Sequence, residues 1–350
     1  MNRFCIAITA LCLCLVFSCT AGGDGSPLTG QDSDNEEELA LTDPDEDAEE
    51  IPELLAAEFL SGKFVSGTEI EFEFSYPVKV LSLSFDPPLE IATIEDDAIK
   101  VKVCLEKEPE PGLKLTAGIE AEDEWENVIS VQAPLFARNS RVPELQINEL
   151  RTEYSKPRAE FIEFKILSGG NLGALRVFAA GNGTSPMIYQ FAPMEVNAGD
   201  YVVIHLRTLE EGLCADEYSG NPGESGGTDS CPSAFDFWIP GSLKLLRKTD
   251  AVYVLDQDDN ALDAVMISET PDTAWSKNYL ADAAALLFEK DAFKSPLGEV
   301  CRPADAVDSS AIKTSATRSI SRNEAAENSA SAADWYITAT GGATPGLPNK

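Results

Sequence analysis

The stretch E-I-E-F-E-F, residues 69–74, decides the fold class, because charged and apolar side chains alternate in it without a fault. Successive side chains of a β-strand point to opposite faces of the sheet. Ile70, Phe72 and Phe74 therefore share one apolar face, and the three glutamates share the other. A helix would not gather these residues on one side. The stretch predicts a half-buried β-strand.

The same period of two continues on both sides of this strand, from Glu58 to about Leu135. Clear alternation returns in residues 78–85, 99–105 and 113–119, and clusters of Gly, Pro and Asp separate these segments. Short strands at this spacing are typical of an all-β sandwich. In this pattern residues 54–140 resemble bacterial Ig-like domains.

Six motifs follow in the C-terminal part of the chain. They are I-N-E-L (147–150), E-F-I-E-F (160–164), A-G-D-Y-V-V-I (198–204), L-D-A-V (262–265), S-I-S-R (319–322) and Trp335 followed by A-T-P-G-L-P-N (343–349). In this order they resemble the lamin tail domain, an Ig-like β-sandwich of nuclear lamins and of many bacterial surface proteins. The resemblance implies that the Gly- and Pro-rich C-terminus is a folded closure. Trp335 would then pack in or beside the core.

The sequence therefore predicts an all-β protein with two Ig-like β-sandwich domains in tandem, at residues 54–140 and 141–350. Residues 171–178 and 241–246 are each predicted to form one strand of the second domain. Two segments depart from the compact lamin-tail pattern, at residues 206–238 and 276–316. The first is long and polar, and the second contains a stretch of helical composition at 281–290. Long loops are usually functional or disordered. We treat both segments as insertions and expect them to contact partners.

The chain opens with a short apolar run, Phe4–Phe17, in which Thr9 is the polar exception. A helix needs about 20 residues to span a bilayer, so this run indicates a secretory signal. Its end, L-V-F-S-C (15–19), resembles the lipobox of bacterial lipoproteins, which implies that Cys19 is lipidated and becomes the mature N-terminus. Acyl chains such as palmitate would hold the protein at a membrane, at ~0.8 kcal/mol per buried CH₂. The alternative is an ordinary signal peptide, cleaved elsewhere, that leaves a soluble secreted protein.

Residues 20–53 contain no Lys or Arg and many Asp and Glu. Such a segment cannot bury enough apolar area to offset the entropy of ordering, and its like charges keep it extended. We predict that residues 19–53 are a disordered acidic tether between the anchor and the folded part. A calcium-buffering or partner-binding acidic tail is the alternative.

Charge limits the partners. The chain has 26 basic and 60 acidic residues and a formal charge of −34. Nucleic-acid binding needs clustered Lys and Arg, so we predict no nucleic-acid partner. The chain has one histidine, His205, which is too few for a His-rich metal site and leaves little choice for a Ser-His-Asp triad. We predict that His205 is a satisfied sheet residue, and we find no catalytic constellation, metal site or cofactor motif.

Two further patterns, a pair of cysteines and an acidic run, each have a functional and an ordinary structural interpretation. Cys214 and Cys231 bracket the first insertion, and a disulfide between them would close a loop of ~16 residues and stabilise the fold by ~3 kcal/mol; free thiols are the alternative. Cys104 and Cys301 stay unassigned.

The run D-Q-D-D-N (256–260) looks like the front of a calcium loop, yet the Gly and Glu that should follow are Ala261 and Ile267. We therefore predict an ordinary turn there.

The sequence thus predicts a lipid-anchored protein of the bacterial cell envelope, at the outer membrane or cell surface. Its predicted role is non-catalytic binding or adhesion, with a protein or glycan ligand held by loops or strand edges. A structural or assembly role in the envelope is the first alternative. A third is an accessory protein of a metal-dependent nuclease or phosphatase, since bacterial lamin-tail domains are often appended to such enzymes.

Overall fold

The computed structural model describes residues 56–313 and 316–350, and Leu54–Lys350 form one compact unit. Within the described residues the chain forms 19 strands and one α-helix, which confirms the all-β prediction. The signal segment, Cys19 and the acidic segment 20–53 lie outside the described residues. In the described part, no helix has the length and apolar character to cross a membrane.

The first six strands form a single antiparallel sheet in the order β3-β4-β2-β5-β6, with β1 also paired to β2. Their bounds are β1 (Phe59–Phe64), β2 (Glu69–Asp86), β3 (Ile91–Glu95), β4 (Ala98–Leu105), β5 (Lys114–Asp123) and β6 (Val128–Phe136). The sequence suggests that residues 69–85 hold two or more strands, but β2 is continuous over 18 residues. Its first half pairs with β1 and β4, and its second half pairs with β5 after an irregularity in register.

The apolar face predicted for residues 69–74 is the core of this sheet. Ile70, Phe72 and Phe74 are at most 1% exposed, and they pack with buried side chains of β4 and β5 such as Val101 and Leu115. All strands that contribute to this core belong to the one sheet, so the sheet curls over its own apolar face. Each large apolar side chain buried in this way contributes about 1.5–3 kcal/mol.

The C-terminal part is a two-layer sandwich. Its strands are β7 (Glu144–Arg151), β8 (Phe161–Ser168), β9 (Gly170–Asn171), β10 (Arg176–Ala179), β11 (Met187–Gln190), β12 (Glu195–Val196), β13 (Tyr201–His205), β14 (Phe235–Trp238), β15 (Asp250–Leu255), β16 (Ala261–Ser268), β17 (Val307–Asp308), β18 (Ile320–Arg322) and β19 (Trp335–Ile337). One sheet has the order β14-β13-β8-β7-β18-β19, and the other has the order β11-β10-β15-β16-β17. The short strands β9 and β12 pair with each other. Apolar side chains of both large sheets share one core.

Helix α1 (Asn278–Glu289) covers the second of these sheets. Leu280, Ala284 and Leu287 of the helix are buried in the shared core. All six residues of β15 are buried, because one face of the strand packs on the opposite sheet and the other packs under α1. The stretch of helical composition, residues 281–290, therefore lies almost wholly in α1, which is part of the core.

The structure differs from the sequence prediction at three places. Residues 241–246 form no strand, because Leu246 alone is buried while Leu243 is 76% exposed. Residues 171–178 hold two short strands, β9 and β10, instead of one. Segment 206–238 ends in β14, which pairs in parallel with β13. Its last residues are therefore part of the sheet, and only its first part is a loop.

The predicted domain boundary at residues 140 and 141 falls between β6 and β7. Within the described residues no strand pairing crosses it, and the strands on its two sides build separate hydrophobic cores. The division into two domains stays a prediction, since Leu54–Lys350 cluster as one unit.

Candidate functional site

Three glutamates, two of them in the sequence motifs, accept hydrogen bonds from the C-terminal tail, residues 343–349. Glu149 of β7 and Glu163 of β8 face each other across the strand pair and are 0% exposed. Thr344 donates its backbone N–H to Glu149 at 3.0 Å, and Gly346 donates its own to Glu163 at 2.6 Å.

The third carboxylate of this cluster, Glu324, lies just after β18 and accepts the backbone N–H of Asn349 at 2.9 Å. The Asn349 side chain also donates to the carbonyl oxygens of Asn148 and Arg322, at 3.0 and 2.9 Å. We call Glu149, Glu163 and Glu324 the carboxylate cluster. The tail is a folded closure of the six-stranded sheet, because its backbone satisfies these carboxylates.

The L-D-A-V and S-I-S-R motifs meet in an ion pair that joins the two sheets. Arg322 of β18 donates to Asp263 of β16 at 2.6 Å and to the carbonyl oxygen of Ile147 at 2.8 Å. Asp263 also accepts the backbone N–H of Ile147 at 2.6 Å. The Arg322 guanidinium lies 4.5 Å from the centre of the Trp335 ring, and Trp335 is 8% exposed. Trp335 thus packs beside the core, as the resemblance implies.

Burial disfavours the charged form of these acids. It raises the pKa of Glu149, and Ser319, Thr344 and Ser321 offset part of that rise with hydrogen bonds. Burial, followed by the charge of Glu149, raises the pKa of Glu163 well above its usual value. Burial raises the pKa of Asp263 to about 6 despite the Arg322 charge.

Replacing Glu163 by glutamine is expected to stabilise the protein at pH 8 by about 1–3 kcal/mol and to leave it unchanged near pH 4. The folded protein binds the Glu163 proton more tightly than the unfolded chain does, because its folded pKa is raised. The stability from this proton is therefore complete at acid pH and is lost as pH rises through the folded pKa. Thermal unfolding midpoints between pH 4 and 8 test this prediction.

The chain offers a matched control for that substitution. Glu144 lies on the same strand, β7, and is exposed. Glu144→Gln should leave the pH profile of the unfolding midpoint as it is. Equal profiles for Glu163→Gln and the wild type would show that Glu163 is not a proton-binding group of the folded state. The glutamine can still accept the backbone N–H of Gly346 through its Oε1 atom. Its Nε2 group can donate to Asn148 Oδ1 once the Asn148 amide rotates, and that oxygen has no partner in the described residues.

The acidic run at 256–260 is a turn that fastens the two halves of the compact unit. Asp256 accepts the backbone N–H groups of Asp258 and Asn260, at 2.9 and 2.8 Å, which closes the turn between β15 and β16. Asp258 forms two bonds with Arg138, at 3.1 and 2.6 Å. Gln257 bonds the backbone on both sides of that arginine, at Ala137 and Asn139.

Among residues 56–313 and 316–350, no group of three or more His, Cys, Asp or Glu side chains is arranged to hold a metal ion. No local feature of the sequence points to Gln257, because its role depends on a backbone segment about 120 positions earlier in the chain.

Cys214 and Cys231 are free thiols in the structure, so the predicted disulfide is not formed in it. Their surroundings differ. The buried Cys231 thiol lies 3.3 Å from the Ser233 hydroxyl and 3.5 Å from the carbonyl oxygen of Gly346. The half-buried Cys214 lies instead beside Gly227. Cys104 and Cys301 are also free.

His205 is buried in strand β13, as predicted for a sheet residue, but only one of its two ring nitrogens has a hydrogen-bond partner in the described residues. Its Nε2 atom lies 2.8 Å from Asp236 Oδ1, and its ring stacks on Trp238 with the centres 3.8 Å apart. Its Nδ1 atom has no hydrogen-bond partner in the described residues. Asp236 also accepts the Cys231 backbone N–H at 2.8 Å. With both side chains 0% exposed, the pair cannot reach a substrate from solvent.

A groove of about 470 Å³ opens between residues 208 and 241, and we call it the Trp238 groove. Trp238 is 7% exposed and forms part of its wall together with Glu211, Cys214 and Asp216. The Trp238 indole N–H donates to the Ser225 hydroxyl at 2.9 Å, and its backbone N–H donates to Asp216 at 2.7 Å. These bonds fix the indole against the loop before any ligand arrives.

The electrostatics of the Trp238 groove favour ligands that donate hydrogen bonds. Two carboxylic acids, Glu211 and Asp216, line the groove, and its lining contains no Lys or Arg. Burial raises the pKa of Asp216, and the Trp238 N–H offsets part of that rise. Burial also raises the pKa of the Cys214 thiol; a backbone hydrogen bond at Glu210 offsets part of that rise, and the charges of Glu210 and Asp236 add to it. The thiol is therefore not activated as a nucleophile.

The loop behind the groove has its own buried anchor. Glu217 is 0% exposed and accepts the backbone N–H groups of Ser225 and Asp236, each at 2.8 Å. Segment 206–238, which the sequence marks as a partner-contact insertion, thus combines a groove with residues that the sheet needs. Sequence reasoning located the segment but missed Asp216, Trp238 and Glu217, since only the folded loop brings them together.

Comparisons with known proteins give three similarities. A protein of Treponema pallidum (strain Nichols), named "Uncharacterized protein", is 28% identical over 236 residues, which are 62% of this chain and 56% of that protein. The chain thus spans just over half the length of this relative. The crystal structure of a DUF4876 family protein from Bacteroides thetaiotaomicron VPI-5482 is 13% identical, with 76% of this chain and 90% of that chain covered and a TM-score of 0.27.

The third similarity covers more than half of the chain. The family model TP_1001_2nd, described as "protein second domain", matches residues 143–337. Its range begins just before β7 and ends with the last residue of β19. It therefore takes in both large sheets and the helix of the C-terminal sandwich. Through residues 143–337, the chain belongs to the TP_1001_2nd ("protein second domain") family.

Proposed function

We propose that this chain is a lipid-anchored protein of the bacterial cell envelope whose C-terminal, lamin-tail-like sandwich binds a ligand without chemical conversion. The lipobox-like end of the signal segment, at Cys19, supports the anchor. The acidic segment after it supports a spacer that holds the compact unit away from the membrane. The Trp238 groove is the observation that carries the binding role, because it is preformed, acidic and partly aromatic.

The groove suits a ligand rich in hydroxyl or ammonium groups. Its volume of about 470 Å³ lies within the range of ~300–1,000 Å³ of small-molecule sites. Carboxylates accept hydrogen bonds, so Glu211 and Asp216 would bind the donors of a glycan or of a basic protein segment. The protonated Cys214 thiol and the buried His205 pair support binding over catalysis.

A probe that carries both kinds of donor tests the groove. Glucosamine is expected to raise the thermal unfolding midpoint of the purified chain, because a ligand that binds the folded state stabilises it. Glu211→Gln should lose most of that shift, since Glu211 is exposed and its side chain has no partner among the described residues. Glu327→Gln, at an exposed position far along the chain, is the control and should keep the shift.

Two outcomes count against the groove. The first is a midpoint with glucosamine equal to the midpoint with sodium chloride at the same ionic strength. The second is a Glu211→Gln variant that responds to glucosamine as the wild type does. Protease added to intact cells separates the alternatives for location. A surface-exposed binding protein is cleaved, whereas a structural component inside the envelope is shielded.

A Cys19→Ala variant tests the lipid anchor, because the variant should be absent from the membrane fraction.

A further inference from the structure

A smaller pocket, of about 220 Å³, lies between the tail and two arginines. Arg151 and Arg158 line it together with Thr228 and Asp229, and the chain at residues 341–345 forms another part of its wall. Two guanidinium groups and one carboxylate give this lining a net positive charge. That sign is unusual in a chain whose formal charge is −34.

The first arginine is held in place with donors to spare. Arg151 is 2% exposed, and its guanidinium lies 4.7 Å from the centre of the Phe161 ring. Its Nε atom donates to the carbonyl oxygen of Ala159 at 2.6 Å, and its Nη2 atom donates to Asp229. Within the described residues, its Nη1 atom has no acceptor. A guanidinium has five N–H donors in a fixed plane, so a buried arginine with an unused edge is ready to bind an oxyanion.

The second arginine adds an unneutralised charge. Arg158 is exposed, and its side chain has no ion pair or hydrogen bond in the described part of the chain. Burial lowers the pKa of Arg151, the charge of Arg158 lowers it further, and Asp229 and Glu149 act in the opposite direction. The two guanidinium groups are thus close enough to repel each other, and an anion between them would relieve that repulsion.

We infer that this pocket binds one anionic group, a phosphate or a carboxylate, through Arg151 and Arg158. Arginine pairs with both groups through parallel N–H donors. The pocket is smaller than the ~300–1,000 Å³ typical of sites for whole small molecules, so it fits a terminal or head group of a larger ligand.

Thermal unfolding of the purified chain in inorganic phosphate, in acetate and in sodium chloride, all at one ionic strength, tests this inference. Phosphate is expected to raise the midpoint by about 2–4 °C over chloride. Arg158→Gln should abolish the rise without lowering the midpoint in chloride, because the exposed Arg158 side chain has no partner in the described residues and its charge repels Arg151. Arg302→Gln is the matched control and should keep the rise, since Arg302 is an exposed arginine whose one ion pair among the described residues is with Asp305.

The two anions distinguish the source of the group. A rise with phosphate and not with acetate assigns a phosphate-bearing ligand, and equal rises extend the site to carboxylates. Equal midpoints in all three salts overturn the inference. A phosphate rise that Arg158→Gln retains in full also overturns it, since the anion would then bind elsewhere.

Discussion

Ending the chain after Ala343 is expected to destabilise the C-terminal sandwich by on the order of 5 kcal/mol. The deletion removes the backbone N–H groups of Thr344, Gly346 and Asn349 from the carboxylate cluster. Hydrogen bonds to charged groups each contribute about 1.5–3 kcal/mol, and a buried carboxylate without its donors carries a desolvation penalty. Urea unfolding followed by circular dichroism measures the loss.

A single substitution checks that the tail acts by packing and not only by its length. Gly346 has φ of +77°, and a Cβ there would lie 2.4 Å from Cys231 Cβ. Gly298 has φ of +76° but open space around it. Gly346→Ala should therefore cost clearly more than Gly298→Ala, because only the first adds a collision to the left-handed backbone. Equal costs would mean that the tail does not pack on residue 231.

Replacing Arg322 by alanine is expected to destabilise the protein by about 3–5 kcal/mol. The substitution leaves Asp263 buried without its partner and removes the bond to the Ile147 carbonyl. It also removes the cation from the Trp335 ring, so the tryptophan fluorescence of the folded state should change. Urea unfolding monitored by that fluorescence gives both results.

The surface pair of Arg302 and Asp305 provides the comparison for Arg322. Arg302 is about half exposed, and exposed pairs contribute about 0–1 kcal/mol. Arg302→Ala should thus be nearly neutral. A loss below about 1 kcal/mol for Arg322→Ala would mean that the ion pair does not fasten the sheets. In a double-mutant cycle, Asp263→Asn combined with Arg322→Ala should cost less than the sum of the single losses.

Alternation in the sequence predicted the central strands well, because each has one buried face that only a period of two can supply. Residues 69–74 and 99–105 lie in β2 and β4 as predicted. The pattern failed where an alternating apolar side chain is left exposed. Residues 241–246 have alternating leucines, yet Leu243 is exposed and no strand forms.

The carboxylate cluster could not be predicted from the sequence. Glu149 and Glu163 look like outward-facing acids of half-exposed strands, which is the normal place for glutamate. They are buried because the tail, almost 200 positions away for Glu149, lies over them. The motif letters were visible in the sequence, but the contacts among them depend on the register of β7, β8 and β18 and on the path of the tail.

The two candidate binding sites could not be predicted from the sequence for the same reason. Segment 206–238 was recognisable as long and polar, but the groove exists only because β14 returns Trp238 to the sheet beside Asp216. The pocket between Arg151 and Arg158 is lined by residues from the start of the sandwich and from its last turn. Both sites depend on long-range packing, for which local composition carries no signal.

Amide hydrogen exchange at Thr344, Gly346 and Asn349 tests most directly whether the chain's last residues are part of the fold. These N–H groups donate to carboxylates, two of which are wholly buried. We predict that they exchange as slowly as the amides of β7 and β8, since opening them requires unfolding of the sandwich. Exchange at the rate of an unstructured peptide would contradict a tail that closes the sheet.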